Sequence, residues 1–264
     1  MSTKSGSAIS LVALAVVAVV ARAAPEPGER LSFVSCPIVR DTRSVPCWLS
    51  EYEGELYYLT IQSDVSAAVQ PPMLGHQVLV EGVVKDGPRI CGGVVLEPVR
   101  LSVMPELDAN CNTLLPAEDR YTIDFNPRPP GPSAGRLAFA PDPTAPRPPP
   151  PRFEGLQTLE LYFDFDKGVS FRHPADLMAI LQRARAIGAT RARVTGVRGA
   201  HRLTDGTLLR ESPAIGRRRA EEVARLLEGA GLNVPLTVDW QDGEPEADGI
   251  DDWRTRRVTV VLEP

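Results

Sequence analysis

The chain has 264 residues and a formal net charge of −5, long enough for two ordinary domains. The acidic balance excludes a broad basic face, and with it nucleic acid as a partner. Its 26 prolines are concentrated rather than spread. All four cysteines, Cys36, Cys47, Cys91 and Cys111, lie in the first half.

Residues 1–23 read as a signal peptide. Lys4 supplies a weak positive start, Ile9 to Ala21 is almost wholly Ala, Val, Leu and Ile, and Ala21-Arg22-Ala23 is an A-x-A cleavage pattern. The apolar run is short for a membrane span, which needs about 20 residues; the alternative is an uncleaved anchor. Export implies an oxidising compartment, where four cysteines form two disulfides in preference to a zinc site. There is no C-x-x-C pair to suggest metal or redox work.

Residues 29–119 read as a disulfide-bonded antiparallel β domain, an OB-like barrel or a sandwich. Strands are expected over 48–60 with a bend at Gly54, over 77–84, and over 94–104. Pro98 inside the last one marks an edge or a bulge. If the 48–60 and 77–84 strands are antiparallel neighbours, Cys47 meets Cys91 and Cys36 is left for Cys111. The rival pairing is local, Cys36 with Cys47 and Cys91 with Cys111. Tyr57, Tyr58 and Trp48 read as core more than as a ligand face, and His76 as a surface-loop residue.

Residues 126–152 are a linker: eleven of the prolines fall between Pro127 and Pro151. Such a segment is semi-rigid, with a reach of at most roughly 80 Å. That length suits holding two domains apart, unless Leu137 and Phe139 tack it onto one of them.

Residues 154–264 alternate strand and helix. The expected order is a strand over 158–166, a helix opened by His173-Pro174 and closed by Gly188, and a strand over 192–198. A loop over 199–211 and a helix over Ser212 to Leu232, with Gly229 and Gly231 as its stop, follow, then strands over 234–240 and 256–262. Crossover units of this kind give a small sheet with helices on one face. Ser212 is the expected N-cap, with Pro213 at the first helical position. Arg217, Arg218 and Arg219 crowd the positive end of that helix dipole. They either face a bound anion or pair with Glu221, Glu222 and nearby loop acids. The acidic run from Glu244 to Asp252 reads as a solvated loop without the ligand spacing of a calcium site.

This second half resembles the OmpA-like C-terminal domain family, periplasmic modules that bind peptidoglycan. The resemblance rests on Tyr162-Phe163-Asp164-Phe165-Asp166 in the first strand and Val194-x-Gly196 in the second. It rests also on Ile215 to Ala220 at the family's L-S-x-x-R-A helix, Gly243-Glu244-Pro245 at its G-E-x-x-P turn, and Arg256-Arg257-Val258 at its N-R-R-V strand. The fold class is therefore α+β: the small antiparallel β domain, then a βαβαββ sandwich, joined by the proline-rich linker.

The resemblance implies a ligand, the diaminopimelate of the peptidoglycan stem, whose ammonium and carboxylate share one carbon. An aspartate takes the ammonium, and an arginine takes the carboxylate through two parallel hydrogen bonds. The arginine carries over to Arg219. The family's G-H-T-D, aligned rigidly on Gly196, places its aspartate at Gly199. Aligned back from Arg219, it falls at Thr204-Asp205, with residues 199–203 as an insertion that contains His201. Asp205-Gly206 is otherwise an ordinary turn. The expected site is Asp205, Arg219, Thr204 and Arg256, with no catalytic residue, metal or cofactor.

The reading is a non-enzymatic envelope protein of a Gram-negative-type bacterium, in the periplasm or at the outer membrane. It binds peptidoglycan and displays its β domain, with another envelope protein as the candidate partner of that domain. The alternative is a periplasmic protein–protein interaction module that has lost wall binding. A third reading, a cell-wall enzyme using Asp164 and Asp166, has no nucleophile-and-base motif behind it.

Overall fold

The computed structural model describes residues 25–62, 69–123, 153–170, 173–241 and 243–264. The signal peptide over 1–23 and the linker over 126–152 lie outside the described residues. The protein is mixed α/β, mostly sheet, with two α-helices among the described residues. No described helix is long and apolar enough to cross a membrane.

The first half contributes seven strands: β1 (Arg30–Ser35), β2 (Pro37–Arg40), β3 (Cys47–Tyr52), β4 (Glu55–Ile61), β5 (His76–Val84), β6 (Val94–Leu107) and β7 (Thr113–Leu115). They form one curled sheet in the order β1-β5-β6-β4-β3-β2-β7. The expected bend at Gly54 is a two-residue hairpin. Glu53 and Gly54 both take positive φ, 51° and 80°, and Tyr52 faces Glu55, as a tight primed turn requires. Pro98 marks a bulge and not an edge. β6 runs between β5 and β4, and its register jumps from Gly82↔Val99 to Val84↔Leu96. Leu31, Phe33, Tyr57, Leu59, Val78, Val80, Leu96 and Leu101 fill the inside of the curl.

The disulfides are Cys36–Cys111 and Cys47–Cys91. The premise used to derive them fails, however. β5 pairs with β1 and β6, not with the 47–61 hairpin. Cys91 reaches Cys47 because the start of β6 runs beside β4, the hairpin partner of the strand that Cys47 opens. The two bonds are compatible with an oxidising compartment.

The second half runs β8 (Gln157–Tyr162), α1 (Pro174–Ile187), β9 (Arg191–Val197), β10 (Ala200–Arg202), β11 (Leu208–Arg210), α2 (Ile215–Gly229), β12 (Leu236–Gln241) and β13 (Arg257–Glu263). The four long strands form a sheet in the order β12-β9-β13-β8. β12 is parallel to β9, and β13 is antiparallel to both β9 and β8. Ala192 and Val194 alternate with exposed or half-buried neighbours, as do Val258, Val260 and Leu262. One face therefore carries the core with Ile180 and Leu181 of α1 and Val223 and Leu227 of α2. α1 begins at Pro174 and stops at Gly188 in the left-handed conformation, as its sequence predicts.

Three expectations are corrected. The loop over 199–211 is a β10–β11 hairpin, in register at His201↔Leu209. Ser212 does not cap α2: its hydroxyl and its N–H both donate to the Asp166 carboxylate, and the cap position is Ala214. The acidic stretch is not wholly solvated. Asp252 is buried and accepts the backbone N–H groups of Arg202, Asp248 and Gly249.

The proline-rich segment suggested that the halves stand apart, but they are packed together. Thr204 of the hairpin exchanges two 2.8 Å bonds with Ser32 of β1: Ser32 N–H donates to Thr204 Oγ1, and Thr204 N–H to the Ser32 carbonyl. Phe165 N–H donates to Ser102 Oγ at 3.0 Å. Arg256 donates to Glu81 of β5 at 2.6 Å.

The packing of α2 on β9 depends on paired glycines. A Cβ at Gly196 would sit 1.9 Å from the Gly216 carbonyl oxygen. Backbone cannot yield at that distance, so Gly196→Ala is expected to destabilise the protein by about 3 kcal/mol or more, read as a lowered urea midpoint.

Candidate functional site

Arg219 is reached from α2, one turn into the helix, and its side chain is fully buried. A buried guanidinium requires an anion and nearly all its donors satisfied. The anion is Glu211, at the end of the β10–β11 hairpin and also fully buried. The pair is bidentate: Nη1 donates to Glu211 Oε2 at 2.8 Å and Nη2 to Oε1 at 2.6 Å. Nε donates to the Lys167 carbonyl at 2.7 Å, and Nη2 also to the Asp164 carbonyl at 3.0 Å. Glu211 takes two more bonds, from Asp166 N–H and Gly199 N–H, each at 2.8 Å. The guanidinium lies 4.7 Å from the centre of the Phe163 ring. A fork-to-fork contact with a carboxylate is what the expected ligand would need. Here the protein's own glutamate occupies it.

Asp205 is not part of this cluster. It is exposed, and its carboxylate accepts Thr207 N–H at 2.8 Å, which is the ordinary turn of an Asp-Gly pair. The expected Asp205–Arg219 clamp is therefore not brought together. Thr204 faces Ser32, and Arg256 faces Glu81, both across the junction of the halves. Position 199, where rigid alignment put the aspartate, admits no side chain: a Cβ there would lie 2.5 Å from Arg256 Cγ. Of the other two arginines, Arg217 pairs with Glu221 one turn on at 2.7 Å, the surface arrangement anticipated as the alternative. Arg218 donates to the Asp166 carbonyl.

The junction holds a second buried cluster that sequence reasoning missed. Ser32 and Glu81 are opposed on β1 and β5 and point the same way. His201 of β10 lies over them, 2% exposed. Its Nε2 is hydrogen-bonded to Ser32 Oγ, and its Nδ1 lies 3.2 Å from Glu81 Oε1 and 3.5 Å from Asp252 Oδ2. Burial pushes the His201 pKa below its usual value; Arg256 adds to that, while Glu81 and Asp252 oppose it. The signal available in the sequence was the position of His201 inside the insertion, but nothing there says that another half of the chain covers it.

An open groove of about 370 Å³ follows this junction, lined in part by Arg30, Arg100, Thr204, Asp251 and Trp253. Arg100 stacks 3.5 Å above the centre of the Trp253 ring. The order hydroxyl, imidazole, carboxylate is that of a nucleophile with its base. The Ser32 N–H is engaged by Thr204 Oγ1. Of the two acids just after β8, Asp166 holds Ser212 through its carboxylate, and Asp164 meets Arg219 through its main-chain carbonyl. For metals, the one group of converging ligand atoms among the described residues is Cys36, Cys111 and Asp108, and its sulfurs are joined in a disulfide.

Glu211 and Asp205 should separate cleanly in stability. Glu211→Ala leaves a buried guanidinium without its anion and is expected to cost about 3–5 kcal/mol. Asp205→Ala, on an exposed turn, should cost about 0.5 kcal/mol or less. Urea unfolding of the two variants beside the wild type measures both. No protein-family model, curated protein or solved structure matches this chain.

Proposed function

We propose that this is a non-enzymatic envelope protein, exported to the periplasm of a Gram-negative-type bacterium, in which an OmpA-like second half serves protein–protein contact and no longer grips peptidoglycan. Its first partner is its own β half. The order β8-α1-β9-α2-β12-β13, with β13 between β9 and β8, supports the family reading. The two disulfides support export.

One observation carries the loss of wall binding. The carboxylate that meets the Arg219 guanidinium belongs to Glu211, and both side chains are inaccessible to solvent. A diaminopimelate carboxylate would have to displace an intramolecular anion that already holds four hydrogen bonds. Intramolecular partners hold the advantage of high effective concentration. The second resemblance-derived arginine, Arg256, is likewise engaged, by Glu81. Two of the four expected ligand residues, Thr204 and Arg256, meet the β half.

The test is co-sedimentation with insoluble peptidoglycan. The wild type is expected to stay in the supernatant, at the level of a protein with no wall affinity, and Asp205→Ala to behave identically. Retention of the wild type on the pellet overturns the proposal. Retention that Asp205→Ala abolishes would restore the zwitterion clamp.

A further inference from the structure

The junction between the halves is polar at its centre and buried. Five groups meet there. His201 comes from β10, Ser32 from β1, Glu81 from β5 and Asp252 from the short 3₁₀ turn before β13, and Arg256 is the residue between that turn and β13. Glu81 is shared: Oε2 accepts from Arg256 at 2.6 Å, and Oε1 faces His201. The contact between His201 Nδ1 and Glu81 Oε1 is close but misaligned, so neither atom has a hydrogen bond among the described residues; Arg256 Nη1 is also without one. Ordered polar seams of this kind are sensitive to a single added charge, because desolvation is severe and every partner is fixed.

We infer that His201 is an acid-sensitive latch between the two halves of the chain, closed when its imidazole is neutral and released when it takes a proton. With the ring neutral, one nitrogen accepts the Ser32 hydroxyl and the other faces Glu81. Protonation puts a second buried cation next to Arg256, in a seam whose Glu81 already serves that arginine. Glu81 and Asp252 attract the added proton, but burial of the ring, with Arg256 beside it, outweighs them.

The sign follows from the directions. In the docked chain burial holds the His201 pKa below the ordinary histidine value of about 6.5. An undocked, solvated His201 has that ordinary value. Docking is therefore fully supported above about pH 6.5 and is lost as pH falls through the lower, docked value. The contacts that join the halves are few and polar, the type of interface for which relative motion is the default. Release would free the N–H and C=O of Ser32 and the Glu81 and Arg256 side chains. The inference rests on the docked arrangement and not on the loss of wall binding, so peptidoglycan sedimentation leaves it untouched.

The test is small-angle scattering of the full exported chain from about pH 7.5 to about pH 4.5, for wild type and His201→Gln. The wild type is expected to expand from a radius of gyration near about 20 Å by on the order of 5 Å as pH falls. His201→Gln, which cannot titrate, should stay compact to a lower pH. A wild type of constant radius overturns the inference, and so does a variant that opens at the same pH as the wild type. If the variant is open throughout, the decision passes to proton NMR of the wild-type His201 ring, distinguished from His76 and His173 by substitution of those two. A midpoint below the ordinary histidine value upholds the latch, and one at or above it overturns the latch.

Discussion

A buried guanidinium has to be answered by a buried anion, and Arg219 fixes much of the second half through that requirement. Glu211 must arrive at the start of α2 with its carboxylate turned inward. That places the end of the β10–β11 hairpin, draws the Gly199 and Asp166 amides onto the same oxygens, and sets the chain after β8 so that its carbonyls meet Nε and Nη2. The segment at 164–167, Gly199, Glu211 and Arg219 are tied at one ion pair. Replacing such a pair with apolar groups is often neutral, but removing one member is costly, so the two residues can change only together.

The same economy of partners appears at the junction. Glu81 stands on a strand of the first half, yet its oxygens are directed at Arg256 and His201 of the second. Residues that would be exposed acids or bases in an isolated domain are buried only because the halves meet. The junction is therefore a condition of the electrostatics of both halves.

Most of the secondary structure was legible. The stop at Gly188, the turn at Gly54 and the irregularity at Pro98 each come from a residue whose backbone limits act locally. The pairing of the first half was not legible: strand neighbours are chosen by long-range packing, and the 47–61 hairpin joins β6 rather than β5. The site was half legible. Arg219 stood out because three cations at a helix start need an explanation. Its partner did not, because Glu211 reads as one more acid in a polar loop, and Asp205 sits in the better-known context. His201 was invisible for another reason: Ser32 and Glu81, which cover it, are more than a hundred positions away.

The hairpin that answers Arg219 at one end covers β1 at the other. β1 ends the seven-stranded sheet, and a bare terminal strand is a template for pairing with another molecule. Thr204 takes both main-chain groups of Ser32, so the insertion doubles as a shield against self-association. A first half severed from the second would lose this guard, and its solubility would then depend on what other strand it met.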